Sequence, residues 1–223
     1  PTTRLLLDDY SGAGAAYSVR KLSQWYTGAC MRIREDSGNT ETDIGFDSNG
    51  DLDTAAIASH CGSANGYVVT WYDQSGNAND ATQSTTTQQP QIYNGTATLT
   101  ENGKPCAQWD GSSDRMAFTT TASSNNVVLV SSSSDTTAMH IGTLNTTGFV
   151  SIMQDGSSST AISTFGSSAL FYADGTLACT NGVQTRDDMH TAYSTGSPVL
   201  MFVDDISIPA SNYQIGIYGT DTF

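Results

Sequence analysis

From Tyr67 onward the sequence is a succession of short β-branched and aromatic runs broken by Asp-Gly and Asn-Gly steps. This pattern constrains the fold more than any other feature of the chain. Tyr67-Val68-Val69-Thr70-Trp71-Tyr72 is the clearest run, made of residue types that suit a half-buried pleated surface. Further strands are expected at 97–100, 107–109, 116–119, 126–131, 149–154, 161–165, 169–172, 199–204 and 213–218. Asp110-Gly111, Asp155-Gly156, Asp174-Gly175 and Asn181-Gly182 lie between runs. Asp, Asn and Gly tolerate positive φ at low cost, so these steps predict tight reversals. Many short strands with regular turn signals predict a mainly β chain, a sandwich or barrel. With no linker and no internal repeat, residues 1–223 are expected to form one domain.

The first third is less uniform. Leu5-Leu6-Leu7 reads as a short strand ending at Asp8-Asp9. Apolar residues then recur at Ala15, Val19, Leu22 and Trp25, with Arg20, Lys21 and Gln24 on the other face; that spacing predicts an N-terminal helix over 13–26, closed by Gly28. Ala29, Met31 and Ile33 alternate with Cys30, Arg32 and Arg34, the period of a half-buried strand. A second, short helix is expected at 54–60, capped by Asp53 or Thr54 and stopped at Gly62.

Charge removes some functions. The chain carries 22 acidic and 8 basic side chains, a formal net charge of −14. A protein that tracks nucleic-acid phosphates needs a basic face, which this balance does not supply, so no nucleic-acid partner is expected. Five of the cations (Arg4, Arg20, Lys21, Arg32, Arg34) fall early but are followed by acids. The longest apolar runs fall far short of a bilayer span, so no membrane insertion is expected. The start at Pro1-Thr2-Thr3-Arg4 has no secretory h-region and fits loss of an initiator methionine, which predicts assembly in a cytoplasm. Cys30, Cys61, Cys106 and Cys179 are widely spaced, with no CxxC, and are expected to be buried free thiols.

Three segments are more specific. Trp71-Tyr72-Asp73-Gln74-Ser75-Gly76-Asn77-Ala78-Asn79-Asp80-Ala81-Thr82 resembles a signature of laminin-G-like, concanavalin-like jelly-roll domains. Ala107-Gln108-Trp109-Asp110-Gly111-Ser112-Ser113-Asp114 resembles the element that follows it in those families. Segments 15–22 and 39–46 are similar to a prefix found in bacteriophage structural proteins and, more distantly, in the catalytic domain of fungal α-L-arabinofuranosidase B. The resemblance spans about half the chain, residues 5–118. It implies a concanavalin-like jelly-roll β-sandwich carrying one N-terminal helix and one short helix.

A glycosidase of the arabinofuranosidase type is a retaining enzyme, needing a nucleophilic carboxylate and an acid/base ~5–5.5 Å apart. The resemblance implies a nucleophilic glutamate in mid-domain after two adjacent cysteines. This sequence has no Cys-Cys, and its only glutamates are Glu35, Glu41 and Glu101, all upstream. The histidines His60, His140 and His190 adjoin no nucleophile motif. No catalytic residue is assigned, and the chain is expected not to be an enzyme.

Other side chains are candidates for binding. Trp71, Tyr72, Asp73, Asn77, Asn79, Trp109 and Asp110 are candidate glycan contacts, with Tyr93 a further aromatic, although strand aromatics and Asx loops serve packing and turns equally well. Asp47, Asn49, Asp51 and Asp53 place oxygens at alternate positions, as in the first half of a calcium loop, but position 12 is Ala58 rather than Glu. An acidic surface loop capping the next helix is the favoured reading, with no cofactor, and calcium is the alternative. The functional expectation is a non-enzymatic virion subunit (decoration, fibre or tail-associated), partnered by other virion proteins or by itself, with host glycans as a further ligand. The alternative is a secreted carbohydrate-active protein, either lectin-like or an arabinofuranosidase-like glycosidase.

Overall fold

A computed structural model describes residues 4–120, 126–131, 139–145, 148–154, 170–180, 199–204 and 212–215. The architecture is mainly β, with antiparallel sheets and two helices, as expected of a β-sandwich. The backbone groups into two compact units, Pro1–Trp109 with Met116–Thr119, and Asp110–Arg115 with Thr120–Phe223.

The first unit holds α1 (Leu6–Asp9), β1 (Met31–Glu35), β2 (Glu41–Ile44), α2 (Thr54–Cys61) and β3 (Asn65–Trp71). It continues through β4 (Ala81–Thr82), β5 (Gln91–Asn94), β6 (Thr100–Glu101), β7 (Lys104–Pro105) and β8 (Met116–Thr119). Its main sheet runs β8-β4-β3-β1-β2, and β5 also pairs with β3. β3 is central because its β-branched run supplies ladder partners on both sides: Ile33 opposes Val68, and Thr70 opposes Thr82. Met31, Ile33, Ile44, Ile57, Val68, Ile92 and Met116 are almost wholly removed from water. Each such burial contributes about 1.5–3 kcal/mol.

Helix α2 forms where the sequence predicts it. The Asp53 carboxylate accepts from Ala56 N at 2.9 Å, satisfying an orphan donor of the first turn, and Gly62 closes the end with positive φ. Its inner face buries Ile57 and Cys61 against the sheet. Cys30 and Cys61 are buried free thiols, and Cys106 is also free.

Two N-terminal expectations fail. Residues 5–7 do not form a strand: they begin α1, where Asp8 Oδ2 accepts from Leu5 N at 2.9 Å and closes a turn. Residues 13–26 are not helical. They form an extended strap whose backbone bonds go elsewhere: Lys21 N donates to Gly50 O, Leu52 N to Val19 O, and Leu7 N to Leu22 O. The opening Ser11-Gly12-Ala13-Gly14 weakens helix propagation, and tertiary partners offer these backbone groups better bonds than a marginal helix would.

The second unit contains β9 (Val127–Ser131), β10 (Met139–Asn145), β11 (Gly148–Gln154), β12 (Leu170–Ala173), β13 (Thr176–Thr180), β14 (Val199–Asp204) and β15 (Asn212–Ile215). Antiparallel pairing gives a sheet ordered β13-β12-β14-β9 and a second run, β11-β10-β15. The Asp174-Gly175 step is a two-residue hairpin with φ of 48° and 80°, joining Ala173 to Thr176. Asn102-Gly103, with φ of 48° and 72°, does the same between β6 and β7. The expected strand at 161–165, the Asp155-Gly156 and Asn181-Gly182 turns, His190 and the end of 213–218 lie outside the described residues.

Candidate functional site

Asp73 follows β3 and is buried, with both carboxylate oxygens in use. Oδ1 accepts from Ala16 N and Ser75 N at 2.8 Å each; Oδ2 accepts from Ser75 Oγ at 2.7 Å and Asn79 N at 3.0 Å. Asn77 Nδ2 donates to Ala13 O and Gly14 O, and Asn79 Nδ2 donates to Gly14 O. Gln74 spans the strap further along, donating through Nε2 to Ser18 O and Arg20 O and accepting from Leu22 N. The signature loop is therefore a clamp. Asp73, Asn77 and Asn79, singled out as candidate glycan contacts, bond the backbone of residues 13–16, and Gln74, which was not, bonds that of residues 18–22.

Tyr72 donates to Asp43 Oδ1 at 2.7 Å, and Arg32 meets the same carboxylate through two nitrogens at 2.8 and 3.0 Å. The Arg32 hydrogen bonds outweigh partial desolvation and hold Asp43 below the usual carboxylate range. Burial, the hydrogen bond to Asp43 and its charge push the Tyr72 phenol up to about 12. Trp71 packs its ring 6.2 Å from Tyr17 and 6.5 Å from Trp109. Both indole Nε1 atoms are buried without a hydrogen-bond partner.

The two aspartates of the following motif differ in kind. Partial burial pulls the Asp110 carboxyl up, but the N–H groups of Asp114, Ser113 and Ser112 outweigh it and hold Asp110 low. Asp114 Oδ2 accepts from Asp110 N at 3.0 Å; burial first, and then the charge of Asp110, push the Asp114 carboxyl up to about 6. Paired carboxyls with opposed shifts are the arrangement from which acid and base roles are drawn.

The 47–53 loop folds on itself. Asp47 Oδ1 accepts from Asn49 N at 2.8 Å and Asp51 N at 3.0 Å, Asp51 pairs with Arg20 at 2.7 Å, and Asp53 caps α2. The Asp51 and Asn49 amides hold the Asp47 carboxyl low. Among the described residues, no group of three or more His, Cys, Asp or Glu side chains converges to hold a metal. Beside this loop the first unit has a cavity of about 600 Å3, bounded also by the start of α2 and by the 93–105 hairpins. Thr98 and Lys104, which line it, were not singled out in the sequence; the Asn102-Gly103 turn that presents Lys104 was the available signal.

The α-L-arabinofuranosidase B catalytic family has a model that matches residues 10–111. No curated protein matches the chain. Among solved structures, an arabinofuranosidase complexed with arabinofuranosyl-α-1,2-xylobiose is similar at 17% identity, with a TM-score of 0.54. A Glu-to-Gln mutant of a GH54 α-L-arabinofuranosidase soaked with 4-nitrophenyl α-L-arabinofuranoside is similar at 18% identity, with a TM-score of 0.51. Each alignment covers 97% of this chain and 61% of the solved one, so the chain spans about three-fifths of their length. At these identities the structures show likeness of fold.

The family match corrects the functional expectation. A non-enzymatic virion subunit, located in a virion, is overturned by a match to a glycosidase catalytic family over the segment that carries the motifs. The expectation of no enzyme falls with it. The 15–22 segment read as part of a phage-like prefix is the strap that Gln74 and Asp73 hold by its backbone, a structural role that residues 15–22 fill whatever the protein's function.

Proposed function

We propose that this chain is the catalytic-type sandwich of a carbohydrate-active protein, a glycoside hydrolase acting on α-L-arabinofuranosyl linkages. The observation that carries this reading is the arabinofuranosidase B family match over residues 10–111. The reading takes residues 1–223 as one domain, and a secreted protein is the setting that goes with it. Retaining hydrolysis draws on two carboxyls, one an acid near working pH and one an ionised nucleophile. Glutamate is absent beyond Glu101, so a pair drawn from the later part of the chain consists of aspartates. Glu35 is not the missing nucleophile, because its carboxylate is bound to amides and hydroxyls of Ser37, Gly38 and Thr40. Asp114, pushed up to about 6, has the chemistry of the acid.

Release of 4-nitrophenol from 4-nitrophenyl α-L-arabinofuranoside tests the reading. Turnover by the purified chain, lost on one Asp→Asn change with the fold retained, supports it. The absence of turnover under conditions where the chain is folded sinks it. For Asp114→Asn, loss of general acid catalysis lowers kcat by about 10²–10⁴-fold and removes the alkaline limb of the pH profile.

A further inference from the structure

Among the described residues of the first unit, the large apolar side chains left exposed are Leu6, Tyr10 and Trp25, at 58%, 73% and 78%. All three belong to α1 and the strap segment bound to it. Tyr10 N donates to Leu6 O, so these two lie four residues apart on one side of α1. Leu7 N donates to Leu22 O at 2.8 Å, and Asp8 Oδ1 accepts from Ser23 Oγ at 2.7 Å and Gln24 N at 3.2 Å. Trp25 follows directly, its N–H donating to Ser23 Oγ at 3.1 Å. Its neighbour Tyr26 is tied down instead, donating to Ala29 O and packing its ring 6.3 Å from Phe46. Apolar spacing placed Trp25 on the inner face of a helix; the strap turns it to solvent.

The two aromatic residues, each about three-quarters exposed, present roughly 300 Å2 of surface on a backbone fixed by these bonds. Exposed apolar surface of this extent marks a contact site. Its surroundings choose among partners. A stacked nucleic acid needs free cations, but Arg4 is paired with Asp9 at 2.9 Å and bonds Asp8 O. An anionic lipid surface is repelled by Asp8, Asp9 and a net charge of −14. A stable protein partner covers about 800 Å2 per side, more than twice this patch. A wholly apolar ligand needs a concave site to enclose it. A pyranose chain has apolar C–H ring faces and hydroxyl edges that stay hydrated, so it lies favourably on open rings.

We propose that Tyr10 and Trp25 form an aromatic platform that binds a neutral, β-linked pyranose polysaccharide. Sugar rings stack on the two aromatic faces, Leu6 extends the apolar floor, and the hydroxyl edges meet water and the Arg4–Asp9 pair. The inference goes beyond the hydrolase reading and needs no cleavage by this chain.

Trp25 is its own reporter, because the indole nitrogens of Trp71 and Trp109 are buried. The full chain is titrated with xylohexaose, cellohexaose and mannohexaose while acrylamide quenching of tryptophan fluorescence is followed. At least one hexasaccharide is expected to protect Trp25 saturably at or below millimolar concentration. By calorimetry, Tyr10→Ala and Trp25→Ala are each expected to bind that sugar about tenfold more weakly, while Trp25→Phe, which keeps a ring, retains most of the affinity. All three variants change exposed residues and are expected to unfold in urea with the wild type. No protection by any of the sugars, or undiminished affinity in Tyr10→Ala or Trp25→Ala, overturns the proposal. Trp25-dependent binding of phosphatidylserine vesicles, or a Trp25-dependent dimer in sedimentation, without hexasaccharide binding also overturns it and gives the corner to a lipid surface or a second copy. Aryl-arabinofuranoside turnover is read separately on the wild type: turnover without hexasaccharide binding overturns the platform alone, and binding without turnover overturns the hydrolase reading alone.

Discussion

Asp73 and Ala16 are 57 positions apart, yet Asp73 Oδ1 accepts the Ala16 N–H at 2.8 Å. The same carboxylate also holds Ser75 and Asn79, so one buried side chain shapes its own loop and pins the N-terminal strap. A long-range bond of this kind replaces the local bonds that a helix over 13–26 would have made.

Asp73→Asn keeps the size of the side chain but replaces one acceptor oxygen with a donor facing other donors. Hydrogen bonds to charged groups contribute about 1.5–3 kcal/mol each, so the variant is expected to lose at least about 2 kcal/mol in urea unfolding. Hydrogen exchange at Ala16 and Leu22 should rise with it. Unchanged stability together with unchanged exchange would show that the strap is held by other contacts.

Gly95 has φ of 80°, and a Cβ there would lie 2.8 Å from the Ser63 carbonyl oxygen. Gly103 has a similar φ of 72° but open space around it. Gly103→Ala should therefore cost about 1 kcal/mol of backbone strain alone, and Gly95→Ala clearly more. Equal melting temperatures for the two variants would remove the steric contribution.

Glu35 titrates well below the usual carboxylate range, first through the Ser37 hydroxyl and then through the Thr40 and Gly38 amides. Its folded value lies beneath its unfolded value of about 4.3. The stabilisation is thus complete above about pH 4.3 and is lost as pH falls below it toward the folded value. Glu35→Gln should be less stable than the wild type at pH 7, and the gap should narrow on acidification. A gap independent of pH would refute the assignment.

Asp114 has the opposite sign. Its folded value of about 6 exceeds the unfolded value of roughly 4, so the folded state loses stability as pH rises through that window. The full shift is worth about 3 kcal/mol, but partial solvation screens it to roughly 1 kcal/mol. Asp114→Asn should unfold later than the wild type at pH 7 and match it below about pH 4. A variant less stable than the wild type at pH 7 would refute the upward shift of Asp114.

Much of the fold is legible from local pattern. The run at 67–72 becomes β3, Asp53 and Gly62 bound α2, and Asp174-Gly175 makes a hairpin between adjacent strands. These depend on residues close in sequence, where φ preferences and side-chain period act directly. The strap at 13–26 shows the opposite case. Its apolar spacing is helical, but its hydrogen-bond partners come from Gln74, Asn77 and Asn79, far along the chain. The cavity was equally hidden, because Arg20 reaches it through the strap's bonds to the 47–53 loop, while Thr98 and Lys104 come from hairpins much further along the chain.

The sequence by itself determined the β-rich class, the Asp174-Gly175 reversal and the limits of α2. It also determined an acidic balance of 22 carboxylates against 8 basic side chains. The tertiary structure decided what the acids are for. Asp73 and Glu35 bind loop amides, Asp53 caps a helix, Asp51 pairs with Arg20, and burial pushes Asp114 upward. A carboxyl's role depends on the donors and charges within a few ångströms of it, and in a sandwich most of those neighbours are distant in sequence.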